Sequence, residues 1–370
     1  MSLSDHIRQK ALELGFDLVG LAPASSPACA AALRDALARG YAAEMNWLGR
    51  SAERRARPGT VLPGARSVVA LGCSYFVEWP DPALAQDPWR GRMAAYAWGR
   101  DYHDVLLPRL QELGQFLSRE ARGVSWRAYT DTGPILERHF AAQAGLGFIG
   151  RNTLLVSPRF GSFISLGALL LDLELDYDAA SPWGCAGAGD APDHPCGRCT
   201  RCLSTCPTGA FPSAFRLDAR RCLSYLTIEH PGAIPPELRV GMGRWIFGCD
   251  LCQVVCPWVR RCSRPAARPF LRFEPERWAP RLTDLLELDE RGFQTLYGGT
   301  PVARTGRRRL IRNALVALGN SGRPEARPAL QRMRRDPDEL LREHAEWALQ
   351  RLAALDGPGS VPENTASTVE

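Results

Sequence analysis

Apolar positions from Leu3 to Leu14 recur at helical spacing and stop at Gly15, which predicts an amphipathic helix ended by a glycine. Ser67–Cys73 (SVVALGC) follows Pro63 and Gly64 and reads as a short β-rich run. Helical spacing returns over Asp104–Leu117, with Val105, Leu106, Leu110, Leu113 and Leu117 on one face. Trp126–Thr130 reads as a strand ending at Asp131-Thr132-Gly133-Pro134, after which Ile135–Ala144 starts another helix. Thr153–Val156 and Phe163–Leu173 read as two strands parted by a turn at Ser157–Gly161. The alternation predicts an α/β or α+β domain over residues 1–175, with functional loops at strand ends.

The pattern then changes. Residues 176–270 are rich in cysteine, proline and glycine with short helical pieces, a region organised by something other than a large apolar core. Within residues 271–356, Arg307–Gly319 and Asp338–Leu352 read as helices offset by 31 residues, because Ala314, Ala317 and Leu318 recur as Ala345, Ala348 and Leu349. That offset suggests two HEAT-like helical repeats, with an ordinary helical hairpin as the alternative. The tail, 357–370, is small, polar and proline-bearing, and reads as disordered. The expected fold class is therefore α+β with a separate cysteine-rich domain and terminal helices.

Composition narrows the chemistry. The chain has 370 residues, 45% hydrophobic and 23% charged, which excludes a disordered, collagen-like or coiled-coil protein. No signal peptide opens it and no apolar run is long enough for a membrane span, so a cytoplasmic location, a monomer and reduced thiols are expected. The net charge is +6, and the basic residues are arginine apart from Lys10. Arginine forks suit phosphate oxygens and stack on bases, compatible with an RNA partner without establishing one.

Of the 12 cysteines, 10 fall between Cys185 and Cys262. In a reducing compartment such crowding signals metal or redox chemistry. Cys196-x2-Cys199-x2-Cys202-x3-Cys206-Pro207 matches the bacterial ferredoxin run, in which three cysteines hold one [4Fe–4S] cluster and the fourth reaches the other. Cys249-x2-Cys252-x3-Cys256-Pro257 forms a second half. The template would place a further cysteine at position 246, where Ile246 stands, and Cys222 is the best-placed substitute, on a segment (Asp218–Thr227) that reads as a helix. Two clusters follow: Cys196, Cys199, Cys202 and Cys256 for one, Cys206, Cys222, Cys249 and Cys252 for the other. Structural zinc is the competing reading, since four-thiolate sites also use C-x2-C pairs. The triple run and the two Cys-Pro pairs favour iron–sulfur. Cys29, Cys73, Cys185 and Cys262 lack partners at ligand spacing and read as core or surface thiols. Two adjacent clusters make an electron wire, so the N-terminal domain must supply the reaction centre.

Beyond the cysteine runs, the chain carries WGRDYHDVL (Trp98–Leu106), DTGPILER (Asp131–Arg138), GLGFIGRNTLL (Gly145–Leu155), RCLSYLTIE (Arg221–Glu229) and GCDLCQVVCPW (Gly248–Trp258). In this order they resemble the epoxyqueuosine reductases, cobalamin-dependent enzymes that complete queuosine in tRNA, over nearly the whole chain to about residue 355. The resemblance implies a base-off cobalamin held between residues 1–175 and the cluster domain, with a cluster feeding cobalt and tRNA carrying epoxyqueuosine as substrate; the electron donor stays unidentified. Asp101-Tyr102-His103 opens the D-x-H-x-x-G signature of histidine-ligated cobalamin, but Leu106 occupies its glycine position. The runner-up functions are a ferredoxin-like electron-transfer protein and a relative of the reductive dehalogenases.

The resemblance assigns Asp131 as the general acid that protonates the departing epoxide oxygen. Read locally, Asp131 is as well suited to capping the helix near Pro134. His103 and His139 read first as helix-surface or core histidines. For cobalamin the resemblance points to Arg55 (with Arg54 or Arg57 as substitutes), Asp131, Asn152, Leu155, Val156, Ser157, Leu166, Ser224 and Asp250. Arg304, Arg307, Arg308, Arg309 and Arg312, five arginines in nine residues, are expected to meet RNA phosphates, the alternative being a solvated helix face.

Overall fold

The structure, a computed structural model, describes residues 2–25, 27–77, 81–183, 193–264 and 275–356. Cys185 and the tail 357–370 lie outside the described residues. Helix α1 (Leu3–Glu13) opens with a capping box in which Ser2 and Asp5 exchange side-chain and backbone bonds. Four strands form one antiparallel sheet: β1 (Leu18–Pro23), β2 (Ser67–Ser74), β3 (Trp126–Tyr129) and β4 (Ile164–Leu171), in the order β1-β2-β4-β3. Strand β1 carries no alternation for sequence reading to seize, because LVGLAP is close to continuously apolar and is buried along its length. Strand β2 is buried at all 8 positions, as a central strand covered on both faces must be.

The two faces have separate cores. Val69, Leu71 and Cys73 of β2 pack with Leu110, Leu113 and Leu117 of helix α2 (Tyr102–Glu120). Val68 packs on the other face with Phe140 of helix α3 (Glu137–Gln143). Cys73 is thus a core thiol. The period-2 alternation of the strand and the one-sided stripe of α2 meet as elementary geometry requires. Leu155–Val156 does not pair with β4 as its place before the Ser157–Gly161 turn suggested; it pairs back onto Phe148–Ile149.

The cysteine region is stitched to the sheet domain by a parallel pair, Arg92–Met93 with Trp245–Phe247. Ile246, standing where the ferredoxin template wants a thiol, is fully buried in the main core. The segment read as one helix over Asp218–Thr227 is broken: a 3-10 turn (Ala219–Arg221) gives way to Leu223–Ile228, with Cys222 extended between them.

Helices α4 (Gly306–Asn320) and α5 (Glu339–Leu355) pack closely, and a Cβ on Gly319 would lie 2.8 Å from the Cα of Ala348. The recurring Ala314, Ala317, Ala345 and Ala348 are all buried. Arg312, expected at an RNA surface, is fully buried instead. Its guanidinium donates to the carbonyls of Leu226, His230 and Gly232, each at 2.7 Å, so it ties α4 to the turn that follows Leu223–Ile228. Arginine density along a sequence does not reveal which arginine points inward.

Arg312→Ala leaves three buried carbonyls without their donor and is expected to lower unfolding free energy by about 3 kcal/mol. Denaturant titration checks this; a change within about 0.5 kcal/mol, typical of a surface substitution, would contradict the buried role.

Candidate functional site

The site is built where β3 ends. Thr130 donates to the Leu166 carbonyl at 2.8 Å, pinning the strand end to β4, and Asp131 follows at φ 59°, in the left-handed region that non-glycine residues rarely enter. Gly133 is forced by proximity: a Cβ there would come within 2.3 Å of the Tyr129 ring. Asp131 caps nothing. Helix α3 begins at Glu137 with no side-chain cap, while the Tyr102 phenol donates to Asp131 Oδ2 at 2.6 Å.

Tyr102 and His103 stand in the first turn of α2, and Asp101 is its N-cap, accepting from the His103 N–H. The Asp101 carboxylate meets His103 Nδ1 at 2.6 Å, and Arg304 reaches both groups, with NH1 3.2 Å from His103 Nε2 and Nε 3.2 Å from Asp101 Oδ2. An arginine donates only, so His103 Nε2 accepts and Nδ1 carries the proton toward Asp101. His103 Nε2 lies 3.7 Å from Asp131 Oδ2. Burial works to raise the Asp101 carboxyl, but the bonds from His103 and the Arg304 charge outweigh it and hold it below its ordinary value. Burial, then the Asp131 charge, pushes the Tyr102 phenol far up, keeping it a donor. His103 therefore belongs to the site, whereas His139 packs within α3 against Phe140. Tyr102, Asp101 and Glu137 escaped sequence reading; Asp-Tyr-His at a helix start, spaced as a cap, was the available signal.

Behind Asp131, Glu137 is pushed up to about 7, first by burial and then by Asp131, against the pull of Arg55 and Arg138. Its Oε1 is buried without a hydrogen-bond partner. Arg55 is buried, bonded to Ser51 Oγ (2.9 Å) and the Ile135 carbonyl (2.8 Å), and stacked over Trp47. Arg54 and Arg57 are exposed, so the structure singles out Arg55 among the three.

Ring contacts run from Asp131 to the thiols. Tyr102 meets Tyr96 at 6.1 Å between centroids, and Tyr96 meets Tyr75 at 6.5 Å. Tyr75 is within the field of Asp250 and Cys252, and burial drives its phenol and that of Tyr96 upward. Asp250 is buried, pushed up to about 6 by desolvation, and accepts from Ala95 N (2.7 Å) and Gln253 Nε2 (3.0 Å). Asn152, also buried, donates to the Cys252 carbonyl at 3.1 Å. Leu155, Val156 and Ser157 are buried beside it, and Leu166 is partly buried on β4.

The thiols lie within one another's fields. Cys202 feels the charges of Cys196, Cys256 and Cys199, and Cys249 those of Cys252 and Cys222, while Cys222 feels Cys206. Cys252 feels Cys222 and Cys206 and, across the two sets expected from spacing, Cys202. Burial pushes Cys249 and Cys252 well above the ordinary thiol value; Cys202, in the other set, rises to about 11.

Cys222 (φ −75°, ψ 125°) and Cys256 (φ −72°, ψ 124°) share one conformation, each the extended N-cap of a short helix (Leu223–Ile228 or Pro257–Cys262) with no side-chain capping bond. Cys262 lies within the field of Cys256.

The remaining arginines of the expected RNA patch are mostly engaged. Arg307 bonds the Leu288 carbonyl, Arg308 pairs with Asp338, and Arg309 bonds the carbonyls of Thr305, Glu229 and Arg304. Arg304 serves Asp101 and His103.

Residues 55–132 match the family model of epoxyqueuosine reductase QueG, DUF1730, and residues 195–259 match the 4Fe-4S double cluster binding domain. Epoxyqueuosine reductase of Pseudomonas aeruginosa is 40% identical over 355 residues, covering 94% of each chain. That of Escherichia coli is 38% identical over 348 residues, covering 94% of this chain and 89% of its own. A solved epoxyqueuosine reductase with an epoxyqueuosine-modified tRNA-Tyr stem loop superposes with a TM-score of 0.84 at 29% identity, over 95% of this chain and 90% of that one. The Bacillus subtilis enzyme, captured with its catalytic aspartate loop swung out of the active site, gives 0.85 at 30% identity over the same shares. With this mixed helix-and-sheet fold, its double-cluster region and near full-length identity to these enzymes, the chain belongs to the epoxyqueuosine reductase family.

Proposed function

We propose that this chain reduces epoxyqueuosine to queuosine at the wobble position of tRNA, with Asp131 delivering a proton to the departing oxygen. The observation that carries this is the grip on Asp131: an exposed carboxyl, in a strained backbone conformation, fixed by Tyr102 and flanked by His103 at the end of an aromatic run leading to the thiols. Removing an epoxide oxygen as water, leaving an alkene, consumes two electrons and two protons. Two [4Fe–4S] clusters provide the electron path, one on Cys196, Cys199, Cys202 and Cys256 and one on Cys206, Cys222, Cys249 and Cys252.

Cobalamin would lie between Asp131 and the second thiol set, a reading supported by the low polarity of three phenols kept neutral there, with Arg55, Asn152, Leu155, Val156, Ser157, Leu166, Ser224 and Asp250 holding the group. When bound, it supplies a cobalt centre able to deliver electrons to substrate carbon. The chain's own residues manage the protons. Tyr102 bonds Asp131 Oδ2, which leaves Oδ1 as the oxygen that faces substrate. His103, held between Arg304 and Asp101, positions the carboxyl. Glu137 keeps a proton near neutrality and is placed to replenish Asp131.

The domain reading accompanies this: a catalytic unit over 1–175, the cluster unit over 176–270, and HEAT-like repeats over 271–356. Arg304, Arg307, Arg308 and Arg309 still present charge on the face where α4 begins, and long-range attraction of the tRNA backbone needs no free guanidinium.

Asp131→Asn preserves the Tyr102 contact and removes the proton. It is expected to retain both clusters and tRNA affinity while turnover of epoxyqueuosine-containing tRNA, followed by nucleoside analysis, falls at least about 100-fold; undiminished turnover would remove Asp131 from this role.

Glu137 generates a pH signature. Its folded-state value of about 7 exceeds the ordinary 4.5, so its contribution to stability is fully present below pH 4.5 and lost as pH rises to 7. Relative to Glu137→Gln, the wild-type protein should lose up to about 3 kcal/mol across that window. A difference in denaturation free energy that stays flat with pH would place the carboxyl in solvent.

A further inference from the structure

The two thiol sets differ in depth. Cys249 and Cys252 are the more deeply buried, within the field of Asp250 and, for Cys252, beside Tyr75 at the end of the aromatic run. All four thiols of the other set, Cys196, Cys199, Cys202 and Cys256, line a cavity of about 240 Å³ whose remaining wall includes Arg151, Arg201, Arg261 and Trp258 and no carboxylate.

The three arginines differ in what they do. Arg151 is spent on the fold, donating to the Gly197 carbonyl at 2.8 Å and lying over the Phe215 ring. Arg201 and Arg261 are exposed at the rim, on separate short helices, and neither pairs with a carboxylate among the described residues. Exposed, uncompensated cations around a redox centre raise the local concentration of an anionic partner and orient its approach. The phosphates of tRNA would suit the same cations; a carrier protein is favoured because Arg201 and Arg261 share one cavity with the four thiols that would hold the outer cluster.

We propose that this arginine-rimmed mouth is the docking surface for an acidic, low-potential one-electron carrier protein. The inference goes beyond the reductase reading and rests on its two-cluster part. Each encounter oxidises the carrier by one electron and reduces the outer cluster by one. Two encounters supply the pair of electrons that, with two protons, turns the epoxide into an alkene and water.

The test uses the holoenzyme with both clusters verified by iron content, and a reduced acidic plant-type ferredoxin as the probe. Stopped-flow bleaching of the clusters gives the second-order rate. For the wild-type enzyme that rate should fall steeply as salt is added. Arg201→Glu with Arg261→Glu should lower it at least about tenfold at low salt and flatten its salt dependence, while Arg201→Lys with Arg261→Lys keeps it within about threefold. Reduced methyl viologen, a small cation needing no docking surface, should reduce both variants undiminished; failure of that arm alone would indict the clusters. An unchanged ferredoxin rate in the glutamate variant overturns the proposal, as does a loss of tRNA affinity without loss of ferredoxin rate. Should the glutamate variant fail to hold iron, a salt-independent wild-type rate would overturn the proposal by itself.

Discussion

Everything in the site depends on the interleaving of the thiols. The first set would take Cys196, Cys199 and Cys202 from one run and Cys256 from a distant one, and the second would draw Cys206, Cys222 and the Cys249–Cys252 pair from three segments, so neither can close until the chain has crossed over itself. Cys222 and Cys256 are alike in backbone, each an extended residue directly before a short helix. The segment between the cysteine runs also has an apolar core of its own, with Leu223, Leu226, Ile234, Leu238 and Met242 buried together.

The deeper set is coupled to the sheet domain by ordinary polar bonds. Asp250 takes the Ala95 N–H, Asn152 gives to the Cys252 carbonyl, and Asn313 of α4 donates to the Thr227 and Ile246 carbonyls at 2.8 Å each. The sheet, the cysteine region and the terminal helices therefore meet at one place. Arg304 completes the junction, reaching from just before α4 to the Asp101–His103 pair that steadies the proton donor. The terminal helices act on the site through this contact as well as through packing.

What could be read from the sequence was what short-range spacing encodes. The C-x2-C-x2-C-x3-C-P run, the missing thiol at Ile246 and the stripe on α2 all depend on residues within a turn or two of each other, and the structure buries the α2 stripe on one face and Ile246 in the core. What escaped were contacts set by direction and distance in space. Five arginines in nine residues look like a patch, yet Arg312 points into the core and Arg304 into the site. The cap reading of Asp131 was reasonable for an aspartate before a helix, but a phenol 29 positions earlier claims the carboxyl. Strand β1, apolar almost throughout, has no periodicity to separate it from a buried helix.

The division of the eight thiols is tested most directly by iron counting with spectroscopy on single variants. Cys222→Ala and Cys199→Ala should each hold about half the wild-type iron, near four atoms per chain against about eight. Each should lose a different cluster, so that the magnetic coupling between the two reduced clusters disappears from both spectra. Full iron in Cys222→Ala, or the same cluster missing from both variants, would contradict the division.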